Sequence, residues 1–172
     1  MNASIRRLER VGDAQLAQLA ALLIDCVEGG ASVSFMHPLA EADARAFWQR
    51  VADGVQRGER ALLVAEDGAG TIVGTVQLVL DLPPNQPHRA DVAKMLVHRR
   101  ARRQGLGERL MRAAEATARA CGRRLLVLDT VTGGDAERLY ARLGWQRVGS
   151  IPDYALWPRG GLCATTVFYR AL

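Results

Sequence analysis

The stretch of sequence best suited to binding chemistry is a basic loop with two glycines that lies directly before a helical pattern. Residues 99–107 read RRARRQGLG and follow an apolar, strand-like run at residues 90–98. The first N–H groups of a helix have no acceptor within the helix, and the helix dipole is positive at that end. Glycine lets the backbone approach a bound group closely, and arginine adds charge-assisted hydrogen bonds. The loop therefore predicts a binding site for a compact anion such as a phosphate group.

Two well-known phosphate-binding patterns do not account for this loop. A nucleoside-triphosphate loop needs Lys and then Ser or Thr after its last glycine, whereas Gly107 is followed by Glu108 and Arg109. A dinucleotide-binding loop needs a third glycine or an alanine where this sequence has Leu110. The first pattern fails and the second fits poorly, so the sequence favours a phosphate ligand of another kind.

The elements around the loop predict a mixed α/β fold. Strand-like runs cover residues 3–9, 61–66, 71–80, 90–98, 124–130, 145–149 and 164–169, and helical patterns cover residues 41–57, 106–121 and 136–143. A further helix is predicted from Asp13, acting as N-cap, to a stop at Gly29 and Gly30. The helix at residues 106–121 lies between two strands and predicts a crossover in the middle of the sheet.

Composition limits the class of protein. The chain has 172 residues, of which 49% are hydrophobic and 24% charged, which predicts a single domain over residues 1–172. No apolar run approaches the length of about 20 residues that a membrane span needs, and the N-terminus does not resemble a signal peptide. The three cysteines, Cys26, Cys121 and Cys163, are far apart, which favours reduced thiols in the cytoplasm and indicates no metal site.

The net charge of +5 leaves nucleic-acid binding as an alternative. Much of the excess, however, lies in the four arginines of residues 99–103, next to glycines. One local cluster favours a compact anionic ligand over a duplex, and we expect neither a nucleic-acid partner nor a membrane partner.

These residues resemble a known family. Arg102-x-x-Gly105-x-Gly107 after a strand is similar to the coenzyme A pyrophosphate loop of the GNAT superfamily of N-acetyltransferases, and residues 139–145, LYARLGW, resemble its last helix and the strand that follows. The resemblance implies a mostly antiparallel central sheet of about six to seven strands flanked by about four helices. Residues 29–36, GGASVSFM, and 88–92, HRADV, further resemble the tabtoxin resistance branch of that superfamily.

The resemblance also implies how acetyl-CoA, the expected cosubstrate, is bound. Leu96 and Val97 would place strand backbone beside the acetyl and pantetheine groups, with a backbone N–H there as oxyanion donor. The remaining predicted cofactor-binding residues belong to the loop and the start of the helix: Arg102, Arg103, Gln104, Gly105, Leu106 and Gly107.

Three residues are predicted to be catalytic. The resemblance implies direct attack of an amine on the thioester, and an alkyl ammonium with a pKa of about 10.4 must first lose a proton. Asp91 and Asp129 are candidates for this base, and the sequence leaves open which of them acts. Tyr140 is the candidate acid for the departing thiolate. The structural alternatives are an exposed residue at the start of a strand for Asp91, a turn or capping residue for Asp129, and a core-packed helix residue for Tyr140.

The acceptor remains open at this level. By likeness, the sequence predicts a primary amine of a small molecule, such as an amino-acid-like toxin or antibiotic. The alternatives are a protein or peptide acceptor, and a non-catalytic acyl-CoA-binding domain. Phe35, Met36 and Trp48 are candidates for lining the amine pocket, although core packing is the commoner use of such residues. A homodimer is a common assembly for proteins of this kind.

Overall fold

A single seven-stranded sheet forms the centre of the protein in a computed structural model that describes residues 3–172. The strands are β1 (Ser4–Leu8), β2 (Arg60–Glu66), β3 (Ile72–Val79), β4 (Arg89–Val97), β5 (Leu125–Val131), β6 (Gln146–Leu156) and β7 (Leu162–Ala171). The helices are α1 (Asp13–Glu28), α2 (Glu41–Gln56), α3 (Leu106–Ala120) and α4 (Asp135–Arg142), with a short 3₁₀ turn at Arg99–Ala101. The spatial order of the strands is β1-β2-β3-β4-β5-β7-β6.

Every neighbouring pair of strands is antiparallel except β4 and β5. A parallel pair needs a long crossover connection, and α3 supplies it. The observed architecture confirms the predicted mixed α/β, mostly antiparallel fold with its central helical crossover.

The helices cover the two faces of the sheet with separate cores. On one face, α1 and α2 bury Leu19, Leu23 and Trp48 against Leu62 and Leu96 of the sheet. The leucines of α1 recur at helical spacing, and each fully buried leucine contributes about 1.5–3 kcal/mol relative to exposure. On the other face, α3 and α4 pack against a second cluster of strand residues. None of the helices within residues 3–172 is long and apolar enough to span a bilayer.

Some predicted boundaries require correction. The N-cap of α1 is Gly12, whose N–H donates to the Gln15 side chain at 3.1 Å, whereas Asp13 lies inside the first turn, where its charge favours the helix dipole. The last two strands extend well beyond residues 145–149 and 164–169. Register shifts in the β6–β7 pair interrupt the alternation of side chains that would have shown this length.

The middle of the sheet splits next to the crossover. Strands β4 and β5 pair over only three positions, ending at Asp91 and Val127, although both strands continue. Farther along β4 there is a β-bulge: Gln77 of β3 pairs with Ala93, while Thr75 pairs with Leu96. The split opens a space between two central strands, and the bulge redirects the side chains beside it.

Candidate active site

The start of α3 presents unpartnered backbone donors. Gly105, its N-cap, has φ of 74° in the left-handed region and no side-chain cap. The N–H groups of Leu106 and Gly107 have no backbone or side-chain acceptor within residues 3–172. A Cβ on Gly105 would meet no atom within 4 Å, so the space beside this N-cap glycine is open. The helix start therefore has the geometry that binds phosphate groups.

Gly107 keeps α3 close to α4. A Cβ at this position would lie 3.0 Å from Cδ2 of Leu139, which is closer than ordinary packing allows. The absence of a side chain thus lets Leu139 of α4 pack beside the first turn of α3.

The loop at residues 99–105 is called here the arginine loop. Its first two arginines, Arg99 and Arg100, hold the loop to the rest of the protein. The Arg99 N–H and Nε donate to the two carboxylate oxygens of Asp25 at 2.9 and 2.8 Å, and Arg100 donates to Asp67 at 2.9 Å. Burial opposes ionisation of Asp25, but the hydrogen bonds from Arg99 outweigh it and lower the pKa of Asp25. These two arginines therefore act as structural anchors.

Arg102 and Arg103 carry the charge that the loop offers to a ligand. Both are exposed, and neither takes part in an ion pair within the described chain. The Nε of Arg102 donates to the Val97 carbonyl at 3.0 Å and fixes the start of the side chain. Arg103 lies in the left-handed region with φ of 59°. Their positive charge helps to lower the pKa of Asp135, after the dominant hydrogen bond from Arg138.

The end of β4 offers backbone rather than side chains. Leu96 is buried in the core, and the N–H of His98 donates to the Val73 carbonyl across the ladder. Because successive peptide groups point in opposite directions, the N–H of Val97 is directed away from β3, toward the side on which β5 has separated. This orientation matches the backbone role predicted for Leu96 and Val97.

Asp91 and Asp129 line the same opening. The space between β4 and β5, called here the β4–β5 cleft, has a volume of about 340 Å³. Its walls include Asp91, Asp129 and Thr165 on β4, β5 and β7, with Ile151 and Tyr154 of β6 on the outer side. The structure thus brings together the two carboxylates that the sequence predicted as alternative bases.

The two carboxylates have different partners. Arg89 forms an ion pair with Asp91, and the Arg89 Nε also donates to Gln86 at 2.9 Å, which fixes the guanidinium. Asp129 has no ion pair closer than 4.0 Å within residues 3–172 and instead lies 2.7 Å from the Thr165 hydroxyl, whose single proton is shared between this carboxylate and the Thr130 carbonyl at 2.9 Å. Asp129 is therefore oriented by a neutral donor, while Asp91 already neutralises a cation.

Tyr140 lies on the opposite side of the sheet from the carboxylates. It is buried against Trp145 and Phe168, with ring centroids 5.9 and 6.0 Å apart, in the cluster that holds Leu128. Side chains alternate along a strand, so Asp129 lies on the other face. Burial, and then the charge of Asp129, raises the pKa of Tyr140, which keeps the hydroxyl protonated. No hydrogen bond within residues 3–172 involves this hydroxyl.

Three features of the site were not predicted. Lys94 lies in the bulge with φ of 50°, and its Nζ donates to the Ser34 hydroxyl at 3.1 Å. Thr165 orients Asp129, and Tyr154 forms part of the outer wall. The available signal for Lys94 was a lysine inside the otherwise apolar stretch 92–97 of a central strand. The other two depend on contacts between distant strands.

The aromatic candidates separate into different environments. Trp48 is fully buried in the core and does not line the cleft. Phe35 packs edge-on against Phe47 at 5.2 Å, and Met36 is 47% exposed. Trp48 thus has the core-packing role that the sequence analysis gave as the commoner use of such residues, in the α1–α2 core.

The loop between α1 and α2 is tied to the end of β6. The Ser32 hydroxyl donates to the Leu156 carbonyl at 3.0 Å, and the His37 N–H donates to the Pro158 carbonyl at 2.8 Å. These bonds bring the loop to the same side of the sheet as the β4–β5 cleft. Within the described residues, no group of three or more His, Cys, Asp or Glu side chains is placed to hold a metal ion.

Comparison with known proteins identifies the family. Residues 22–145 match the model of the acetyltransferase (GNAT) family. The chain is 32% identical over 128 residues to an uncharacterized N-acetyltransferase from the hisH–hisA intergenic region of Azospirillum brasilense, covering 73% of this chain and 74% of that protein.

Two solved structures share the fold at low sequence identity. One is the yncA protein of Salmonella typhimurium, described as an acetyltransferase with its cofactor acetyl-CoA. It is 20% identical to this chain, with a TM-score of 0.79, and the match covers 100% of this chain and 95% of that one. The phosphinothricin acetyltransferase of Sinorhizobium meliloti, in complex with acetyl-CoA, is 19% identical with a TM-score of 0.82, over 100% and 89%. These likenesses show the shared fold, and the family match together with the 32% identical relative confirms the family expected from the residues: this chain belongs to the acetyltransferase (GNAT) family.

Proposed function

We propose that the protein transfers the acetyl group of acetyl-CoA directly to a primary amine of a small molecule. The observation that carries this proposal is the row of unpartnered N–H groups at the start of α3, flanked by Arg102 and Arg103 and adjacent to the split between β4 and β5. The donors suit a diphosphate, and the split gives a thioester access to the carboxylates of the β4–β5 cleft.

Acetyl-CoA fits the residues present at the cofactor side. Its diphosphate would accept from the backbone of Gln104, Gly105, Leu106 and Gly107 and from the exposed side chains of Arg102 and Arg103. The rest of the molecule would lie along β4, where the N–H of Val97 is directed toward the cleft. That N–H is well oriented to donate to the carbonyl oxygen as negative charge develops on it.

Asp129 is the base in this proposal. An incoming ammonium is attracted to a carboxylate that lacks an ion-pair partner, and loss of its proton, directly or through a water molecule, makes the nitrogen nucleophilic. The hydrogen bond from Thr165 holds the carboxylate in one orientation. Asp91 then has the supporting role of a second negative charge beside the amine, because Arg89 already occupies one of its oxygens.

Tyr140 donates a hydrogen bond to the sulfur as the thiolate leaves. Its raised pKa keeps the phenol neutral at working pH, as a donor must be. The same shift makes complete proton transfer to the thiolate unfavourable, because the thiol that would form has an ordinary pKa of about 8.5. The acid role predicted from the sequence is therefore proposed as stabilisation of the developing thiolate.

The finer features of the acceptor and the setting belong to the same proposal. An amino-acid-like toxin or antibiotic is favoured by the resemblance to the tabtoxin resistance branch and by the fold shared with the Sinorhizobium meliloti phosphinothricin acetyltransferase. The three cysteines are unpaired within the described chain, which favours a reducing, cytoplasmic setting. A homodimer is consistent with the exposed apolar side chains of β6, including Val148 and Ile151.

The test has a binding arm and an activity arm. Calorimetry with purified protein should detect binding of coenzyme A and acetyl-CoA, and release of free coenzyme A should be measured with amino acids, aminoglycosides, polyamines and peptides. Turnover with a small amine supports the proposal, and turnover with peptides alone supports a peptide acceptor instead. Binding without turnover on any amine would favour an acyl-CoA sensor, and no binding at millimolar concentration would overturn the assignment of the α3 site.

A further inference from the structure

The use of lysine in this chain points to the acceptor. Of the 23 basic residues, 22 are arginine and one is lysine, and that lysine is Lys94 in the β4 bulge. Lysine carries a compact charge on a flexible stem, whereas arginine carries a planar group with a fixed fork of donors. All the remaining basic positions are arginine, and the one lysine lies beside the candidate active site.

The backbone directs this lysine toward the acceptor side of the sheet. Lys94 has φ of 50°, and the residue that accepts its hydrogen bond, Ser34, has φ of 77°. Non-glycine residues adopt this region rarely and at a cost, and such positions are concentrated at functional sites. Without the bulge, the alternation of side chains along β4 would place Lys94 on the sheet face that α3 covers and Ala93 on the other face. With it, Nζ lies 5.6 Å from the Phe47 ring, on the α2 face that also carries Asp129.

The ammonium group has polar and aromatic neighbours but no anion in contact. Its hydrogen bond goes to the Ser34 hydroxyl, and no carboxylate lies within 4.0 Å of it in the described chain. Burial lowers the pKa of Lys94, and the nearby charge of Arg60 acts in the same direction, while Asp129 opposes both. A partly desolvated cation of this kind gains more from an added anion than a solvated one does.

The charges around the acceptor side leave one positive charge in excess. Lys94, Arg60 and Arg89 are cations, and Asp91 and Asp129 are anions. Arg89 is paired with Asp91, whereas Arg60 and Lys94 donate to neutral groups, the Gln77 side chain at 2.7 Å and the Ser34 hydroxyl at 3.1 Å. Of the two cations without a carboxylate partner, Lys94 is the one that lies on β4, the strand that carries Asp91, and an ammonium has further donors for a ligand.

Resting on the function proposed above, we propose that Lys94 binds an acidic group of the acceptor, so that the substrate is an amine that also carries a carboxylate or a similar anion. Asp129 attracts the ammonium end of such a molecule and Lys94 its anionic end. The Phe47 ring, 5.6 Å from Nζ, offers an apolar surface beside the lysine for the carbon chain of such a molecule. Polyamines and aminoglycosides, which carry only cations, are disfavoured.

Matched amines test this inference on the wild-type enzyme without any substitution. The comparison uses ω-amino acids of three to five carbons, their amides, and alkylamines of equal length, with kcat and KM measured separately for each. A hydrogen-bonded charge contact predicts that kcat/KM is about 10- to 100-fold higher for the amino acid than for its amide, mainly through KM. Equal kcat/KM across each set would overturn the inference.

A variant then assigns the preference to Lys94. Lys94→Met keeps a flexible chain without the charge and should remove the preference for the anionic amine. Arg50→Met removes one exposed cation of α2, three residues along the chain from Phe47, and should retain the preference. Calorimetric binding of coenzyme A shows whether each variant is folded. A preference that survives in folded Lys94→Met protein, or an equal loss on charged and neutral amines, would overturn the role of Lys94.

The failure of this inference is distinct from failure of the proposed function. If amines are acetylated without regard to an acidic group, only the inference about Lys94 fails. If no amine is acetylated although coenzyme A binds, the proposed transfer fails, and the anion site at Lys94 fails with it.

Discussion

Replacement of Gly105 by alanine isolates the contribution of the α3 start to cosubstrate binding. Gly105 has φ of 74°, and an added Cβ would meet no atom within 4 Å. The substitution therefore introduces no clash within the protein, and its cost is the strain of a left-handed alanine, about 1–2 kcal/mol. In the free protein the loop can relax to relieve that strain, whereas the bound form requires the original conformation.

The strain consequently appears as a loss of affinity. Strain of 1–2 kcal/mol corresponds to about 5- to 30-fold weaker binding of coenzyme A, with each tenfold change equal to about 1.4 kcal/mol. Isothermal titration calorimetry with coenzyme A measures this change directly, without any need to know the acceptor.

Gly122→Ala is the matched control. Gly122 follows the other end of α3, has φ of 72°, and likewise has no atom within 4 Å of an added Cβ. The backbone strain is the same, so the expected result is a lower free energy of unfolding by about 1–2 kcal/mol with an unchanged Kd for coenzyme A. Wild-type affinity in Gly105→Ala, or an equal loss of affinity in both variants, would refute the assignment of the α3 start as the diphosphate site.

Three further predictions follow from the site and its anchors. Asp129→Asn should lower kcat about 10²- to 10⁴-fold at neutral pH, as expected for loss of a general base, while calorimetry finds the Kd for coenzyme A unchanged. Tyr140→Phe keeps the buried ring and removes one hydrogen bond to a developing charge, so kcat in a steady-state assay should fall about 10- to 150-fold. Asp25→Asn should weaken the anchor of the arginine loop and lower the urea midpoint at pH 7. Because the pKa of Asp25 is lowered in the folded state, its contribution is fully present above its ordinary value of 3.8 and is lost as pH falls through the lower folded value. The difference between wild type and Asp25→Asn should therefore shrink in urea titrations from pH 6 to pH 3.

Each of these predictions has a contradicting result. Equal kcat for Asp129→Asn and wild type from pH 6 to pH 9 would remove Asp129 as the base. Full activity of Tyr140→Phe would leave Tyr140 with a packing role only. A stability difference for Asp25→Asn that is the same at pH 6 and pH 3 would mean that the carboxylate charge does not contribute to the anchor.

The parts of the fold and site that the sequence predicts are those that local patterns encode. The anion loop is readable because its arginines, its glycines and the helix that follows are contiguous, and α3 begins at Leu106 as predicted. The split between β4 and β5 is not readable, because the spatial neighbours come from strands separated by a whole helix. The bulge at Lys94 likewise depends on register against β3, which the sequence of β4 alone does not specify.

For the catalytic candidates too, the sequence predicts the residues, whereas their roles depend on contacts between distant parts of the chain. Asp91 and Asp129 were found as acidic residues on central strands, but their difference in partners depends on Arg89 in one case and on Thr165, 36 residues away, in the other. Tyr140 was found from the resemblance of residues 139–145 to the last helix of the family, yet its position across the sheet from Asp129 emerges only from the fold. Residue type and spacing therefore give the candidates, and long-range contacts separate their roles.

The single lysine would report occupancy of the acceptor site proposed above. Apart from the chain's N-terminal amine, Lys94 is the one primary amine among the 172 residues, so an N-hydroxysuccinimide ester can modify the interior of the sequence at that position alone. Burial lowers the pKa of Lys94 and so increases its unprotonated, reactive fraction at a given pH. The rate at which the peptide containing Lys94 gains mass, with and without a candidate ligand, would therefore measure protection of the site in crude mixtures and without turnover.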